Sequence, residues 1–171
     1  MKQKKIYWFA SDPRAKIPTQ EKNSVGYDLY ALPEENFQGA FVLHPGEKHI
    51  FHTGLKCIIP DDYWLSFWER SSTGNLQMNL HAGVIDSSYR GELMIILANY
   101  TNYDMVFNCD GKKGYEAGKI YYPFNKAIAQ GILLPKLSLK DETVADSGEW
   151  NRLCEKFQSE RGEGGFGSSG K

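Results

Sequence analysis

Between residue 25 and about residue 135 the chain falls into short runs of β-branched and aromatic side chains separated by turn residues. The runs are "VGYDLYAL" (25–32), "GLKCIIP" (54–60), "YWLSFWE" (63–69), "ELMIILANY" (92–100) and "AIAQGILL" (127–134). Such side chains fit a pleated, half-buried surface. "HPGE" (44–47), "PDD" (60–62) and "CDGKKG" (109–114) punctuate them. In "HPGE" Pro45 presets φ and Gly46 accepts the positive φ of a type II turn. Many short strands with turns between them imply an all-β sandwich, jelly roll or barrel. Residues 108–122 read as a long loop or an extra hairpin inserted between strands.

One stretch has helical periodicity. In "DSGEWNRLCEKF" (146–157), Trp150, Leu153, Cys154 and Phe157 recur at i, i+3, i+4 and i+7 behind the cap candidates Asp146 and Ser147. It is expected to be a packing helix at the root of a glycine-rich tail, "RGEGGFGSSG" (161–170). At 171 residues a single domain can bury a core without staples. The expected division is a β domain over 1–158 and a flexible arm over 159–171. A net charge of -1 gives no global field for nucleic acid or an anionic membrane. Cys57, Cys109 and Cys154 lie far apart with no zinc-ligand spacing, which suits reduced thiols in a cytoplasmic protein. The apolar run Ile6–Ala10 is too short for a signal peptide, and no segment reaches the length of a membrane span.

Three clusters carry chemistry. In "ERSSTGN" (69–75) a guanidinium stands beside two hydroxyls and a glycine; it is either a serine-rich turn or a set of donors for phosphate oxygens. In "HAGVIDSSYRGE" (81–92) Asp86 ends an apolar strand. Its carboxylate either bonds its own turn or accepts a proton from water beside a ligand, and Tyr89 can lay its ring along a sugar or base. The tail is either a linker or an arm. Glycine lets backbone wrap a ligand, Arg161 can pair with a terminal phosphate and Phe166 can stack on a base.

Taken in order, "SVGYDLYAL", "TGLKCIIPDDYW", "ERSSTGN", "HAGVIDSSYRGE", "AIAQGILLP" and "RGEGGFGSSG" resemble the trimeric dUTPases over residues 10 to 170. The resemblance implies an antiparallel jelly roll, or distorted β-barrel, that assembles as a homotrimer with active sites shared between subunits. It implies hydrolysis of dUTP to dUMP and pyrophosphate by water attack on the α-phosphorus with Mg²⁺ on the triphosphate, limiting uracil incorporation into DNA and supplying dUMP for dTMP synthesis. Asp86 matches the aspartate that activates the water, and Tyr89 the tyrosine that excludes a 2′-hydroxyl. Gly83 and Ile85 would read uracil, while Arg70, Ser71, Ser72 and Gln130 would hold phosphates. Asp28 would reach Mg²⁺ through water; Arg161, Phe166, Gly167 and Ser168 would close over the nucleotide as a lid.

The chain departs from that pattern in places. Asn125, Lys126 and Ala127 occupy the fourth motif where Gly, an acid and Arg are usual. Neighbouring positions on a strand face opposite ways, so Lys126 is not expected to replace the arginine directly. Glu69 puts an acid beside the phosphate residues unless a base such as Arg70 or Arg90 pairs it, and His81 is expected to serve packing or face solvent. Residues 108–122 are a candidate protein-binding surface. Two alternatives stand beside the hydrolase. A dCTP deaminase, alone or bifunctional, would resemble this chain but needs a glutamate where Ile96 stands; a dUTPase-like interaction module would be expected to lose the base or the arm.

Overall fold

The structure is a computed structural model that describes residues 4–159. Its regular structure is mostly strand. Thirteen strands and two helices follow in order among the described residues: β1 (Tyr7–Ala10), β2 (Gly26–Leu29), β3 (Ala40–Leu43), β4 (Lys48–His52), β5 (Leu55–Ile58), β6 (Tyr63–Trp68), α1 (Ser71–Gly74), β7 (Met78–His81), β8 (Val84–Ile85), β9 (Met94–Asn99), β10 (Asp104–Asn108), β11 (Gly114–Glu116), β12 (Lys119–Pro123), β13 (Ala129–Pro135) and α2 (Ser147–Lys156). Contacts divide the chain into two units, Met1–Leu137 and Ser138–Lys171.

The first unit carries all four sheets: β1-β5, β11-β12-β10-β3, β2-β13-β6-β8 and β4-β9-β7. Pairing is antiparallel except between β10 and β12. This is the expected all-β jelly-roll class, not a closed barrel. All five sequence runs contain strands, at β2, β5, β6, β9 and β13. The type II turn is present, with Gly46 at φ 79° and the Glu47 N–H donating to the His44 carbonyl at 3.0 Å.

The core lies between these sheets. Leu29, Leu65, Leu97, Met105, Phe107 and Ile128 are fully buried, each worth roughly 1.5–3 kcal/mol relative to exposure. Phe51, Phe107 and Phe124 pack edge and tilt against one another, with Phe51 and Phe107 centroids 4.7 Å apart. Buried polar groups are satisfied among the described residues. The Asn99 amide donates to the carbonyls of Leu43 and Tyr103, both at 2.8 Å, and its oxygen accepts from Thr101. This ties the end of β9 to β3 and to the turn before β10.

Residues 108–122 contain a hairpin, β11 and β12, closed by Ala117 and Gly118. Its parallel seat beside β10 leaves β11 as the sheet edge. In the second unit, α2 begins where expected: the Asp146 side chain accepts from the Glu149 N–H. Its apolar residues are not buried, and Trp150 is exposed.

Candidate active site

The site residues come from strands that line the cavity on one face. In β2 Gly26 and Asp28, two positions apart, line the cavity, while Leu29 is buried in the core. Register places Asp28 opposite Gln130 of β13, which in turn lies opposite Trp68 at the end of β6. Directly after β6 the chain turns through Arg70 into the single turn α1. Thr73 pins that turn, its buried hydroxyl accepting from the Arg70 N–H at 2.8 Å and donating to the Arg70 carbonyl at 3.0 Å. "ERSSTGN" is therefore a built turn that presents its functional groups outward.

Asp28, Arg70, Ser71, Ser72 and Gln130 meet at a cavity of about 330 Å³, to which Thr19, Glu21 and Ser24 also contribute. The Arg70 guanidinium binds the Asp28 carboxylate twice, at 2.9 and 3.2 Å. Gln130 donates to the Glu69 carbonyl at 2.8 Å. Its amide oxygen would lie 2.3 Å from a Cβ at Gly26, so only glycine leaves room for it there. Glu69 pairs with neither Arg70 nor Arg90. Its carboxylate accepts from the Leu80 N–H at 2.9 Å, which directs the acid onto β7.

Gly83, Ile85, Asp86 and Tyr89 line a different cavity of about 240 Å³, with Phe67, Ile50 and Met94 among its apolar walls. No residue lines both. The segment 81–92 is not a simple hairpin. β7 pairs with β9 whereas β8 pairs with β6, so the chain changes sheets at Ala82 and Gly83. The Gly83 carbonyl accepts from the Phe67 N–H at 2.8 Å, and a Cβ at Gly83 would meet the Phe67 carbonyl oxygen at 3.0 Å. Asp86 is exposed and opens the turn that the Tyr89 N–H closes at 3.1 Å. The Tyr89 hydroxyl donates to the Glu92 carbonyl at 2.9 Å, its ring lying where a Cβ on Gly91 would clash.

Glu92 is an acid of the "RGE" turn whose task nothing local in the sequence signals. It receives the N–H groups of Thr53 and Gly54 and the His52 ring, so it is committed to holding the β4–β5 corner against β9. His81 meets the Tyr100 hydroxyl at 3.0 Å and stacks edge-on with its ring, in keeping with a packing role. Lys126 is not on a strand. It sits in a turn, its N–H donating to the Pro123 carbonyl at 3.0 Å, so strand alternation does not govern where it points. Among the described residues no group of three or more His, Cys, Asp or Glu side chains forms a metal cage. Arg161, Phe166, Gly167 and Ser168 lie outside the described residues.

The dUTPase family profile matches residues 13–112. The chain belongs to the dUTPase family. Among dUTPase relatives, the deoxyuridine 5′-triphosphate nucleotidohydrolase of Leptospira interrogans is 31% identical, over 97% of this chain and 99% of its own length. That of Anaplasma marginale is 30% identical, over 86% and 83%. The dUTPase of Staphylococcus bacteriophage 80alpha, solved with dUPNHPP, is 26% identical, with a TM-score of 0.71 and coverage of 98% of this chain and 99% of that one. A point-mutant dUTPase from phage phi11 of S. aureus, described as coordinating a structural Mg(II) ion, shares the fold at 19% identity and a TM-score of 0.64, over 84% and 98%.

Proposed function

We propose that the protein hydrolyses dUTP, as the names of its Leptospira and Anaplasma relatives say of them, and that the products are dUMP and pyrophosphate. The observation that carries this is the convergence of Asp28, Arg70, Ser71, Ser72 and Gln130 on one polar cavity from segments far apart in sequence. Guanidinium, hydroxyl and amide donors suit phosphate oxygens. The apolar cavity around Gly83 and Ile85 suits a base, which backbone groups there would read while the tight walls exclude larger pyrimidines. Tyr89, its ring held by the bond to Glu92, would pack on deoxyribose and leave no space for a 2′-hydroxyl.

Asp86 is the proposed general base. It takes a proton from water as the water oxygen bonds to the α-phosphorus; the bond from that phosphorus to the bridging oxygen breaks and pyrophosphate leaves with the electron pair. Arg70 and the two serines offset the charge on the leaving group. Asp28 is the proposed metal partner, reaching the ion through a water. A single carboxylate fits Mg²⁺, which keeps several waters and takes phosphate oxygens as ligands, and does not fit an ion needing a full protein cage. The bound ion would neutralise triphosphate charge.

In one chain the phosphate cavity and Asp86 line separate cavities. The reading therefore includes a homotrimer whose sites combine the phosphate residues of one subunit with the base cavity of another, and the arm residues Arg161, Phe166, Gly167 and Ser168 as a lid. A cytoplasmic location follows only from that role; no helix among the described residues is long and apolar enough to cross a membrane. A deaminase is disfavoured because Ile96 stands where its glutamate is needed and Glu92 is occupied. A panel of dUTP, dCTP, dTTP and UTP with Mg²⁺, coupled to pyrophosphatase, tests the proposal. Phosphate should appear with dUTP alone; loss of cytosine absorbance from dCTP, or no release from dUTP, overturns it.

A further inference from the structure

The charged side chains lining the phosphate cavity are one guanidinium, Arg70, and two carboxylates, Asp28 and Glu21. Asp28 already neutralises Arg70 through two contacts. A lining of that sign repels a triphosphate, and a metal shared with Asp28 offsets only part of the deficit. Arg161, proposed above for the terminal phosphate, supplies part of it, and further positive charge can come from beside the cavity.

Tyr122 leads to it. Its ring is buried, and its hydroxyl donates to the Ala127 carbonyl at 2.6 Å. Burial pushes the hydroxyl's pKa up to about 12, while the nearby Ser72 and Arg70 side chains pull it down. The Lys126 ammonium lies over the face of this ring, 4.6 Å from its centroid. One phenol ring thus separates the Lys126 charge from the phosphate-binding serine and arginine. The turn that carries Lys126 is fixed by its own N–H bond to Pro123. Among the described residues no carboxylate pairs with Lys126. Its charge is instead disfavoured, by partial burial and by the cations Arg70 and Lys113, which hold its pKa below the usual lysine value. Lys126 and Lys113, neither of them ion-paired among the described residues, add positive charge beside Arg70, the local field of an anion site.

We infer that Lys126, seated on the Tyr122 ring, is a substrate-binding cation that contacts the outer phosphates of the triphosphate. The inference rests on the dUTP reading above and adds to it a residue one position away from where the family pattern carries its arginine. Tyr122 is the positioning residue: its hydroxyl is locked by Ala127, and its face fixes where the ammonium sits.

The test uses the full chain and Lys126→Met, which removes charge and keeps bulk. Turnover of dUTP and calorimetric binding of α,β-imido-dUTP and dUMP are measured with Mg²⁺. Expected are a rise in KM and a loss of analogue affinity of about 10-fold, with kcat within about threefold. dUMP affinity should not change, because dUMP lacks the outer phosphates. Lys126→Arg should restore KM to within about threefold, since it restores charge. Active wild type with unchanged analogue affinity in Lys126→Met overturns the inference alone. So does equal weakening of dUMP and analogue, or an arginine variant as impaired as methionine, because each marks a structural role. Wild type that does not hydrolyse dUTP overturns the underlying reading itself.

Discussion

At the scale of single residues, Asp86 and Glu92 are two carboxylates six positions apart with opposite employment. Asp86 is exposed, its carboxylate without a hydrogen-bond or ion-pair partner among the described residues, which suits the proposed base. Asp86→Asn should lower turnover of dUTP by about 10²–10⁴-fold while analogue affinity stays within about threefold; steady-state kinetics beside calorimetry checks both. Glu92 serves the fold. Burial pushes its carboxyl up, but the His52 ring and the N–H groups of Gly54 and Thr53 outweigh that and leave it below the usual carboxylate range. A depressed folded pKa stabilises fully above the unfolded value of about 4.3 and is lost as pH falls through the lower folded value. Glu92→Gln should therefore cost about 1–2 kcal/mol near neutral pH, and the gap from wild type should narrow below about pH 4. Urea unfolding across pH, at one protein concentration, measures this. The turn at Asp86 was legible in the sequence as an apolar pair followed by turn residues, whereas its proposed role as base came only from the family resemblance. Glu92 was not, because its partners at 52–54 meet it only through the pairing of β4 with β9.

At the scale of elements, local chemistry announced what local chemistry decides. Pro45 and Gly46 specify their turn, and Asp146 its helix start, within a few residues. Strand partners are long-range facts, so the change of sheet at Gly83 and the parallel seat of β12 had no local signal. The hairpin turn Ala117–Gly118 was hidden for another reason. Both residues have positive φ, 50° and 76°, as in a type I′ turn, yet the first is an alanine where Asn or Gly is usual. Ala117→Asn keeps a side chain but tolerates the left-handed region, so it should stabilise the hairpin by about 0.5–1 kcal/mol. A rise of about 1–4 °C in thermal midpoint would register the gain; an unchanged or lower midpoint would refute the strain at 117. Residues 108–122 expose Tyr115 on the edge strand β11.

At the scale of the whole molecule, the separation of the two cavities has a stoichiometric consequence. A variant damaged at Arg70 keeps its base cavity, and one damaged at Asp86 keeps its phosphate cavity. If each site draws these halves from different subunits, the two defects are complementary in a mixed trimer and additive in a single chain. Arg70→Ala and Asp86→Asn, each inactive alone, should recover about a quarter of wild-type activity after equimolar unfolding and reassembly. In random trimers half of the phosphate cavities and, independently, half of the base cavities are intact, so about one site in four pairs two good halves. Mixing without unfolding should restore nothing until subunits exchange, which separates complementation from a contaminating wild-type chain. Activity that stays at the level of the parents after reassembly into verified trimers would mean that both halves of a site come from one subunit, joined by a rearrangement that brings the Asp86 turn to the Arg70 turn.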